Sequence, residues 1–444
     1  MVAKPRGTRD FLPQEMARRL AFERILDDVG GRHGFFRVQT PIFETLELFT
    51  AKSGEGVVGQ LYAFEDKGGR HLTLRPEMTA PVMRMVAEEL RNETKPLRLS
   101  YFGQCYRYEE FKKGRYREFF QYGIEIIGAP GPLTEAEIVA VAVNMLSEAG
   151  VKNWELRIGH VGILNAVLGA LGLSTKASEG GEAPIATAMR LIDKRDTAGL
   201  EAFLASQHIE RATAQPLFDI QGLSGGVETL EQAHAILSKI EGVDTTPLDE
   251  LRTTCNALSS LAEAPPRLSI DLTVARGLDY YTGMVFEIHV PELGGESQVL
   301  GGGSYKLMHL FGLEDLDPCC GFGLGFDRVL LALEAQAQHE GRAETVPGEL
   351  NAAPSIAMIP FNIEPQHVLA LTAGLRKAGF RVDLELRGRK IGKAMSWANS
   401  IGATHCIVVG PQDLEQGQVT IKNLKSGEQN TTTFSLDGVL SLIK

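Results

Sequence analysis

Residues 97–128 read LRLSYFGQCYRYEEFKKGRYREFFQYGIEIIG and predict two β-strands joined by a short, charged loop. Successive side chains of a strand point to opposite faces of the sheet. The side chains able to bind an anionic, aminated ligand all fall on odd positions, namely Arg107, Glu109, Arg117, Gln121 and Glu125. If the strands pair as an antiparallel hairpin with these faces aligned, they form a polar floor above an apolar underside.

The loop that joins the strands has Lys112, Lys113 and Arg115 around Gly114. These three positive charges are enough to bind phosphate groups. A half-exposed hairpin with a solvated polar face is the simpler alternative, because most charged strand faces are merely solvated. The choice between the two interpretations depends on the rest of the chain.

Length and composition indicate a globular protein of two or three domains, with 444 residues, 43% hydrophobic and 23% charged. No run of about 18 apolar residues occurs, so we expect no membrane span. Residues 1–6 lack the apolar stretch of a secretory signal. The five cysteines form no Cys-x-x-Cys pair. This pattern predicts reduced thiols in the cytoplasm and argues against a zinc site.

The net charge of −11 argues against general affinity for nucleic acid, but the charge is uneven. Residues 354–444 contain ten Lys or Arg against seven Asp or Glu, a net charge of +3. A basic tail domain on an acidic body indicates localised contact with a polyanion.

Several segments before the hairpin have recognisable patterns. A helix is predicted from Pro13 to about His33. Residues 54–59 match the glycine pattern of dinucleotide-binding loops, but no strand precedes them, so we reject that site. Glu77 and Thr79 lie where a predicted strand, residues 71–74, gives way to a helix, a common place for ligand contacts. The alternative is an ordinary helix start with Thr79 as its N-cap.

After the hairpin the pattern predicts further strands around a helical insertion. The insertion covers residues 165–264, and strands are expected at 268–274 and 284–290. The polar and aromatic segment 276–283 between these strands suits the lining of a pocket. A glycine-rich strand, 321–327, leads into a helix at 329–335, with Arg328 in its first turn, where a phosphate would bind well. We place a linker at 336–353 and a compact α/β domain at 354–444.

Taken together, these segments resemble the histidyl-tRNA synthetases, a family of class II aminoacyl-tRNA synthetases, over essentially the whole chain. The three class motifs resemble residues 36–44, 106–125 and 321–328, and the histidine-specific motifs resemble residues 276–283 and 301–305. The tail resembles the anticodon-binding domain of several class II enzymes.

The resemblance implies an α+β fold. It implies a catalytic domain at 1–335, in which helices flank an antiparallel sheet. The helical insertion at 165–264 interrupts this domain. An α/β anticodon-binding domain follows at 354–444. It implies ATP-dependent attachment of L-histidine to its tRNA through a histidyl-adenylate, with ATP as substrate and Mg²⁺ as its ion. It further implies a cytoplasmic homodimer formed through the first motif.

The resemblance also implies roles for single residues. Arg107 and Arg276 are the catalytic residues, placed on either side of the ATP α-phosphate. The residues implied to bind ATP are Arg107, Glu109, Arg117 and Arg328. The residues implied to bind histidine are Glu77, Met78, Thr79, Arg107, Gln121, Glu125, Arg276, Tyr280, Tyr281 and Tyr305. Within that set, Glu125 suits the imidazole, because a carboxylate accepts from a ring N–H that isosteres lack.

The chain departs from the family pattern at three places. Glu110-Phe111-Lys112 replaces Arg-Pro-Gln, Ser304 replaces an arginine before Tyr305, and Asp327 stands where glutamate is commoner. Two other functions remain as alternatives. One is a non-catalytic regulatory paralogue of the kind attached to ATP phosphoribosyltransferase, and the other is a different class II enzyme. The retained tail domain argues against the first, and the intact 276–283 motif argues against both.

Overall fold

The computed structural model describes residues 2–53, 55–108, 116–176, 183–263, 265, 267–273, 281–342, 346 and 355–443. The chain separates into two compact units, residues 1–347 and 348–444. Each unit has its own buried core.

The described part of the first unit contains eleven strands, eleven α-helices and four short 3₁₀ helices. The strands are β1 (Phe36–Val38), β2 (Phe43–Thr45), β3 (Tyr62–Glu65), β4 (His71–Leu74), β5 (Leu97–Tyr106), β6 (Glu118–Ile127), β7 (Glu155–His160), β8 (Arg267–Ile270), β9 (Tyr281–His289), β10 (Gln298–Tyr305) and β11 (Cys319–Gly325). The helices are α1 (Pro13–Arg32), α2 (Leu46–Ser53), α3 (Thr79–Glu89), α4 (Pro132–Glu148), α5 (Val161–Ala170), α6 (Pro184–Asp193), α7 (Thr197–Ser206), α8 (Gln215–Gln221), α9 (Thr229–Leu237), α10 (Thr246–Leu261) and α11 (Phe326–His339).

Eight strands form one sheet in the order β1-β5-β6-β11-β10-β9-β7-β8. The five pairs from β5 to β7 are antiparallel, and only the outer pairs, β1–β5 and β7–β8, are parallel. A separate antiparallel sheet has the order β2-β4-β3. The predicted class of a mainly antiparallel sheet flanked by helices is therefore confirmed.

Helices cover both faces of the central hairpin. Tyr122 and Ile124 of β6 are buried in one cluster with residues of α1 and α4. Tyr101 and Cys105 of β5 are buried in another, with residues of α3. The helical insertion has no separate core, because the buried side chains of α5–α10 join the first of these clusters.

Three predicted boundaries in the first unit are wrong. Strand β8 ends at Ile270 rather than residue 274. Strand β9 begins at Tyr281 rather than residue 284, because Tyr281 pairs with Tyr305 of β10. Helix α11 runs from Phe326 to His339, four residues into the predicted linker. Its polar last turn is held by the buried Gln336 amide, which accepts from Lys152 N and donates to Asn153 O.

The second unit consists of β12 (Ser355–Pro360), α12 (Gln366–Lys377), β13 (Arg381–Leu384), α13 (Ile391–Ser400), β14 (His405–Val409), α14 (Pro411–Gln416), β15 (Gln418–Asn423), β16 (Gln429–Thr433) and α15 (Leu436–Ile443). Its sheet has the order β13-β12-β14-β15-β16, and the first three strands are parallel. Helices α12 and α15 pack in one cluster and α13 in another. This arrangement is the predicted α/β domain.

Candidate functional site

The central hairpin puts Gln121 and Glu125 on one face, as its alternation predicts, but the other odd positions of the paired strands are aromatic, apolar or glycine. We call this face the floor of the site. In the β5–β6 register, Leu99 lies opposite Glu125, Gly103 opposite Gln121, and Cys105 opposite Phe119. Residues directly opposite each other in an antiparallel pair point to the same side. The odd positions of both strands therefore share one face, and the aligned hairpin is confirmed for the described residues.

Glu125 is the deepest charged group of this floor and is only 1% exposed. Tyr101 Oη donates to its Oε1 over 2.9 Å, and Tyr305 Oη donates to its Oε2 over 2.6 Å. Burial raises the pKa of Glu125 to about 7, although the hydroxyl donors oppose that shift. Each carboxylate oxygen has a second lone pair, so the group can accept one further donor without losing either tyrosine.

The glycines of β11 make room for these side chains. A Cβ at Gly321 would stand 1.7 Å from Glu125 Oε2, and one at Gly323 would stand 2.2 Å from Gln121 Nε2. Any larger residue would therefore displace the carboxylate or the amide. This is the physical reason for the glycine-rich strand before Arg328.

The start of α3 forms the wall next to the floor. The carboxylate of Glu77 accepts from Thr79 N at 2.7 Å and from Ala80 N, and it pairs with Lys52 Nζ at 3.2 Å. Thr79 is thus not the N-cap of this helix, since Glu77 satisfies the first amides. Thr79 Oγ1 instead lies 3.2 Å from Tyr101 Oη, the hydroxyl that holds Glu125.

A cavity of about 790 Å³ opens over this floor. Six of the predicted site residues line it: Glu77, Thr79, Arg107, Gln121, Tyr281 and Arg328. Two others, Glu125 and Tyr305, are buried and do not line it, but Tyr305 lies edge-on to Tyr281, with 6.4 Å between ring centroids. Met78 is also buried, and its N donates to Gln121 Oε1 at 3.3 Å.

Two arginines line different parts of the cavity. Arg107 Nε donates to Pro76 O at 3.0 Å, and its guanidinium lies 5.2 Å from the centroid of the Phe119 ring. Arg328 is in the first turn of α11, as predicted, and its Nε donates to Gln298 O at 2.6 Å. Glu296 pairs with Arg328 at 3.6 Å.

Arg117 is not among the residues that line the cavity. It precedes β6, its N donates to Gly7 O at 3.0 Å, and its guanidinium lies 4.2 Å from the centroid of the Tyr108 ring. Gly7 has φ +85°, and a Cβ there would meet the Arg117 side chain at 2.6 Å. The predicted residues Glu109, Arg276 and Tyr280, and the basic loop 110–115, lie outside the described residues.

Sequence reasoning missed several residues of this site. Lys52, Glu296 and Gln298 line the cavity, and Tyr101 holds Glu125.

Asp327 is a structural anchor: its carboxylate accepts from Arg9, from Arg19 and from Phe120 N. The contacts of Asp327 join residues about 200 to 300 positions apart, so no local pattern marks them.

In the described part of the chain, no three His, Cys, Asp or Glu side chains are grouped closely enough to hold a metal ion. None of the described helices combines the length and the hydropathy that a membrane span requires.

Comparisons with known proteins identify the family of this chain. The family profile described as "Histidyl-tRNA synthetase" matches residues 7–329, and that described as "Anticodon binding domain" matches residues 356–444. The chain is 41% identical over 428 residues to "Histidine--tRNA ligase" of Archaeoglobus fulgidus, covering 96% of each chain.

Solved structures give the same result. The apo histidyl-tRNA synthetase of S. aureus superposes with a TM-score of 0.73 and 27% identity, over 100% of both chains. A Bacillus halodurans protein titled "ATP phosphoribosyltransferase regulatory subunit/histidyl-tRNA synthetase" superposes with a TM-score of 0.74 and 27% identity, over 92% of this chain and 98% of its own. Because the first profile spans well over half of the sequence and the relative is 41% identical along almost its whole length, the chain belongs to the histidyl-tRNA synthetase family.

Proposed function

We propose that this protein activates L-histidine with ATP to give histidyl-adenylate and then transfers the histidyl group to its tRNA. The observation that carries the proposal is the Glu125 carboxylate, buried between two tyrosine hydroxyls beside a polar cavity. Such a group recognises an N–H donor that isosteric amino acids lack. The 41% identity to a histidine–tRNA ligase supports the same reaction.

Histidine would lie with its ring toward Glu125 and its amino group toward α3. Glu125, Tyr305 and Tyr281 would contact the imidazole. Glu77, Thr79 and Gln121 would bind the α-ammonium, which Glu77 suits as the carboxylate at the cavity wall. Met78 would contribute by holding Gln121 through its backbone N–H. The resemblance adds Tyr280 to this set.

Adenylate formation needs alignment and charge neutralisation more than a dedicated acid or base. The histidine carboxylate attacks the α-phosphate, and pyrophosphate leaves. Arg107 would bridge the two reacting anions from the cavity wall, and Arg328 would bind the γ-phosphate. By resemblance, Arg276 would lie on the other side of the α-phosphate, and Glu109 and Arg117 would bind ATP.

Mg²⁺ would arrive with ATP and neutralise the charge of its phosphates. In such enzymes the ion is bound through phosphate oxygens and only one or two carboxylates. Glu296 fits this role, because its half-exposed carboxylate lies beside Arg328 in the cavity lining.

Histidylation of a histidine tRNA transcript by the purified protein tests the proposal. We expect charging that requires both ATP and histidine. A regulatory paralogue would neither charge the tRNA nor exchange pyrophosphate, and that result would overturn the proposal. The likeness to the Bacillus halodurans protein makes this the alternative to exclude.

We further propose that the second unit binds the anticodon arm through the segment that joins β13 to α13 and through the first turn of α13. Residues 386–393 contain four Lys or Arg and no acid, and Leu386 beside them is 81% exposed. The buried Glu385 carboxylate fixes this segment, since it accepts from Arg387 N, from Arg389 N and from the Arg389 guanidinium. The segment follows the carboxyl end of a parallel strand, where open α/β sheets bind ligands.

Reversing two exposed charges of this segment, Arg387→Glu with Lys390→Glu, should raise the tRNA KM by about 10- to 100-fold, because phosphate contacts are lost. Histidine-dependent pyrophosphate exchange should be unchanged. The matched control is Lys377→Glu with Lys425→Glu, which makes the same change of charge on exposed residues of the same unit. An equal effect in both variants would show a response to net charge and contradict this site.

The protein should be a homodimer formed through β1 and β2. β1 lies at the edge of the large sheet, and Phe36 and Phe43 are 74% and 53% exposed. Exposed apolar side chains on an unpaired edge strand favour pairing with another chain. Light scattering at micromolar concentration should give twice 48.3 kDa. Phe36→Glu should shift the population toward the monomer, whereas Leu369→Glu, in the other unit, should not. A parent protein that is only monomeric would contradict the dimer.

We place the enzyme in the cytoplasm. All five cysteines are free and buried, as expected of thiols that are kept reduced.

A further inference from the structure

The carboxylate of Glu135, in the first turn of α4, is buried at 4% exposure and collects hydrogen bonds from three elements. Its Oε1 accepts from Ser304 Oγ of β10 at 2.6 Å and from Met284 N of β9 at 3.1 Å. Its Oε2 accepts from Thr254 Oγ1 of α10 at 2.9 Å. A charge is buried in this way only where donors compensate its desolvation.

Two of these donors lie where the β9–β10 ladder is irregular. Gly303 pairs with Val285, but Tyr305 pairs with Tyr281, so three residues of β9 face the single residue Ser304. A regular ladder would put Gly283 opposite Tyr305. The two extra residues bring Tyr281 beside Tyr305 instead, and such bulges commonly re-aim side chains at active sites.

The bulge is shaped around the Glu135 carboxylate. A Cβ at Gly283 would lie 3.0 Å from Glu135 Oε1 and 2.9 Å from Ser304 Cβ, so only glycine fits there without displacement. Ser304 itself supplies one of the donors. The departure from the family pattern at Ser304 therefore has a local function, which is to bind this carboxylate.

We infer that Glu135 is a positioning residue for histidine binding: it holds the bulge that puts Tyr281 beside Tyr305, and through Thr254 it couples the helical insertion to the histidine site. The inference rests on the proposed function. Thr254 is fully buried on α10, the last helix of the insertion, and α10 packs along α4. Thr254 of the insertion thus donates to a carboxylate that also fixes β9 and β10.

Pyrophosphate exchange on the full-length protein, normalised by active-site titration, separates positioning from folding. Glu135→Ala should raise the histidine KM at least 30-fold and leave the ATP KM within threefold. Glu135→Gln should stay within threefold of the parent for both, because its amide oxygen accepts from Met284 and Ser304 while its NH₂ donates to Thr254.

A comparison of the single variants Thr254→Val and Thr229→Val tests the inference even if Glu135→Ala does not fold. Both threonines are buried on helices of the insertion, but only Thr254 contacts Glu135. We expect Thr254→Val to raise the histidine KM about three- to tenfold and Thr229→Val to leave it unchanged. A parental histidine KM in Thr254→Val would overturn the inference, as would equal changes in the two variants. Failure of the proposed function would differ, because the parent itself would then show no histidine-dependent exchange.

Discussion

Replacement of Arg107 by lysine is expected to slow histidyl-adenylate formation by about two to three orders of magnitude, because loss of one preorganised donor at developing charge has effects of that size. Lysine keeps the positive charge but cannot present the planar fork that would hold the α-phosphate and the histidine carboxylate together. Arg107 lines the cavity and is oriented by its bond from Nε to Pro76 O, which lysine cannot reproduce in the same geometry. The measurement is the pyrophosphate-exchange rate at saturating histidine and ATP.

Arg98→Lys is the matched control for this change. Arg98 belongs to the same hairpin, on β5, but it donates to His33 O and pairs with Glu137, away from the residues that line the cavity. We expect its exchange rate to stay within a few-fold of the parent. An Arg107→Lys enzyme that also stayed within a few-fold would remove Arg107 from the catalytic residues.

The second large effect is expected at Glu125. Glu125→Gln keeps the shape and one acceptor oxygen but loses the charge-assisted bond to the imidazole N–H. A hydrogen bond to a charged group contributes about 1.5–3 kcal/mol, so the histidine KM should rise about 10- to 100-fold. The ATP KM should be nearly unchanged. Glu385→Gln alters an equally buried carboxylate in the other unit and should leave both constants unchanged.

The pH dependence gives an independent test of Glu125. Its pKa is about 7 in the folded protein, against 4.5 for an ordinary glutamate, so the ionised acceptor is lost as pH falls through 7. In the parent, kcat/KM for histidine should decline below that pH, and Glu125→Gln should lose this part of the profile.

Stability should respond in the opposite sense. Because the folded pKa is raised, the contribution of Glu125 to the free energy of unfolding is largest below pH 4.5 and is lost as pH rises through 7. Glu125→Gln should therefore melt no lower than the parent at pH 8. If Glu125→Gln kept both the histidine KM and the pH profile of the parent protein, Glu125 would not contact the substrate.

The hairpin could be predicted from sequence because its information is local. Alternation over ten-residue strands fixes which side chains share a face, and the observed pairing of Gly103 with Gln121 keeps the odd positions of both strands on that face. The position of Arg328 in the first turn of α11 is equally predictable, since a glycine-rich strand and a helix start are both local patterns.

The remaining features depend on residues far apart in the chain. Glu77 pairs with Lys52, which lies 25 positions earlier in the sequence. Asp327 binds Arg9 and Arg19, which lie more than 300 positions earlier. The bulge at Ser304 requires Glu135, about 170 positions earlier. The sequence of the last turn of α11 is typical of a linker, because Gln336, which anchors this turn, is polar. Only the fold shows that Gln336 is buried.

We expect the protein to activate histidine, bound at Glu125, and no other amino acid. Pyrophosphate exchange by the purified protein, run in parallel with each of the twenty amino acids, tests it most directly. We predict exchange with histidine alone, and slower exchange in Glu125→Gln than in the parent at subsaturating histidine. Exchange with a different amino acid, or equal exchange by the parent and Glu125→Gln at low histidine, would contradict it.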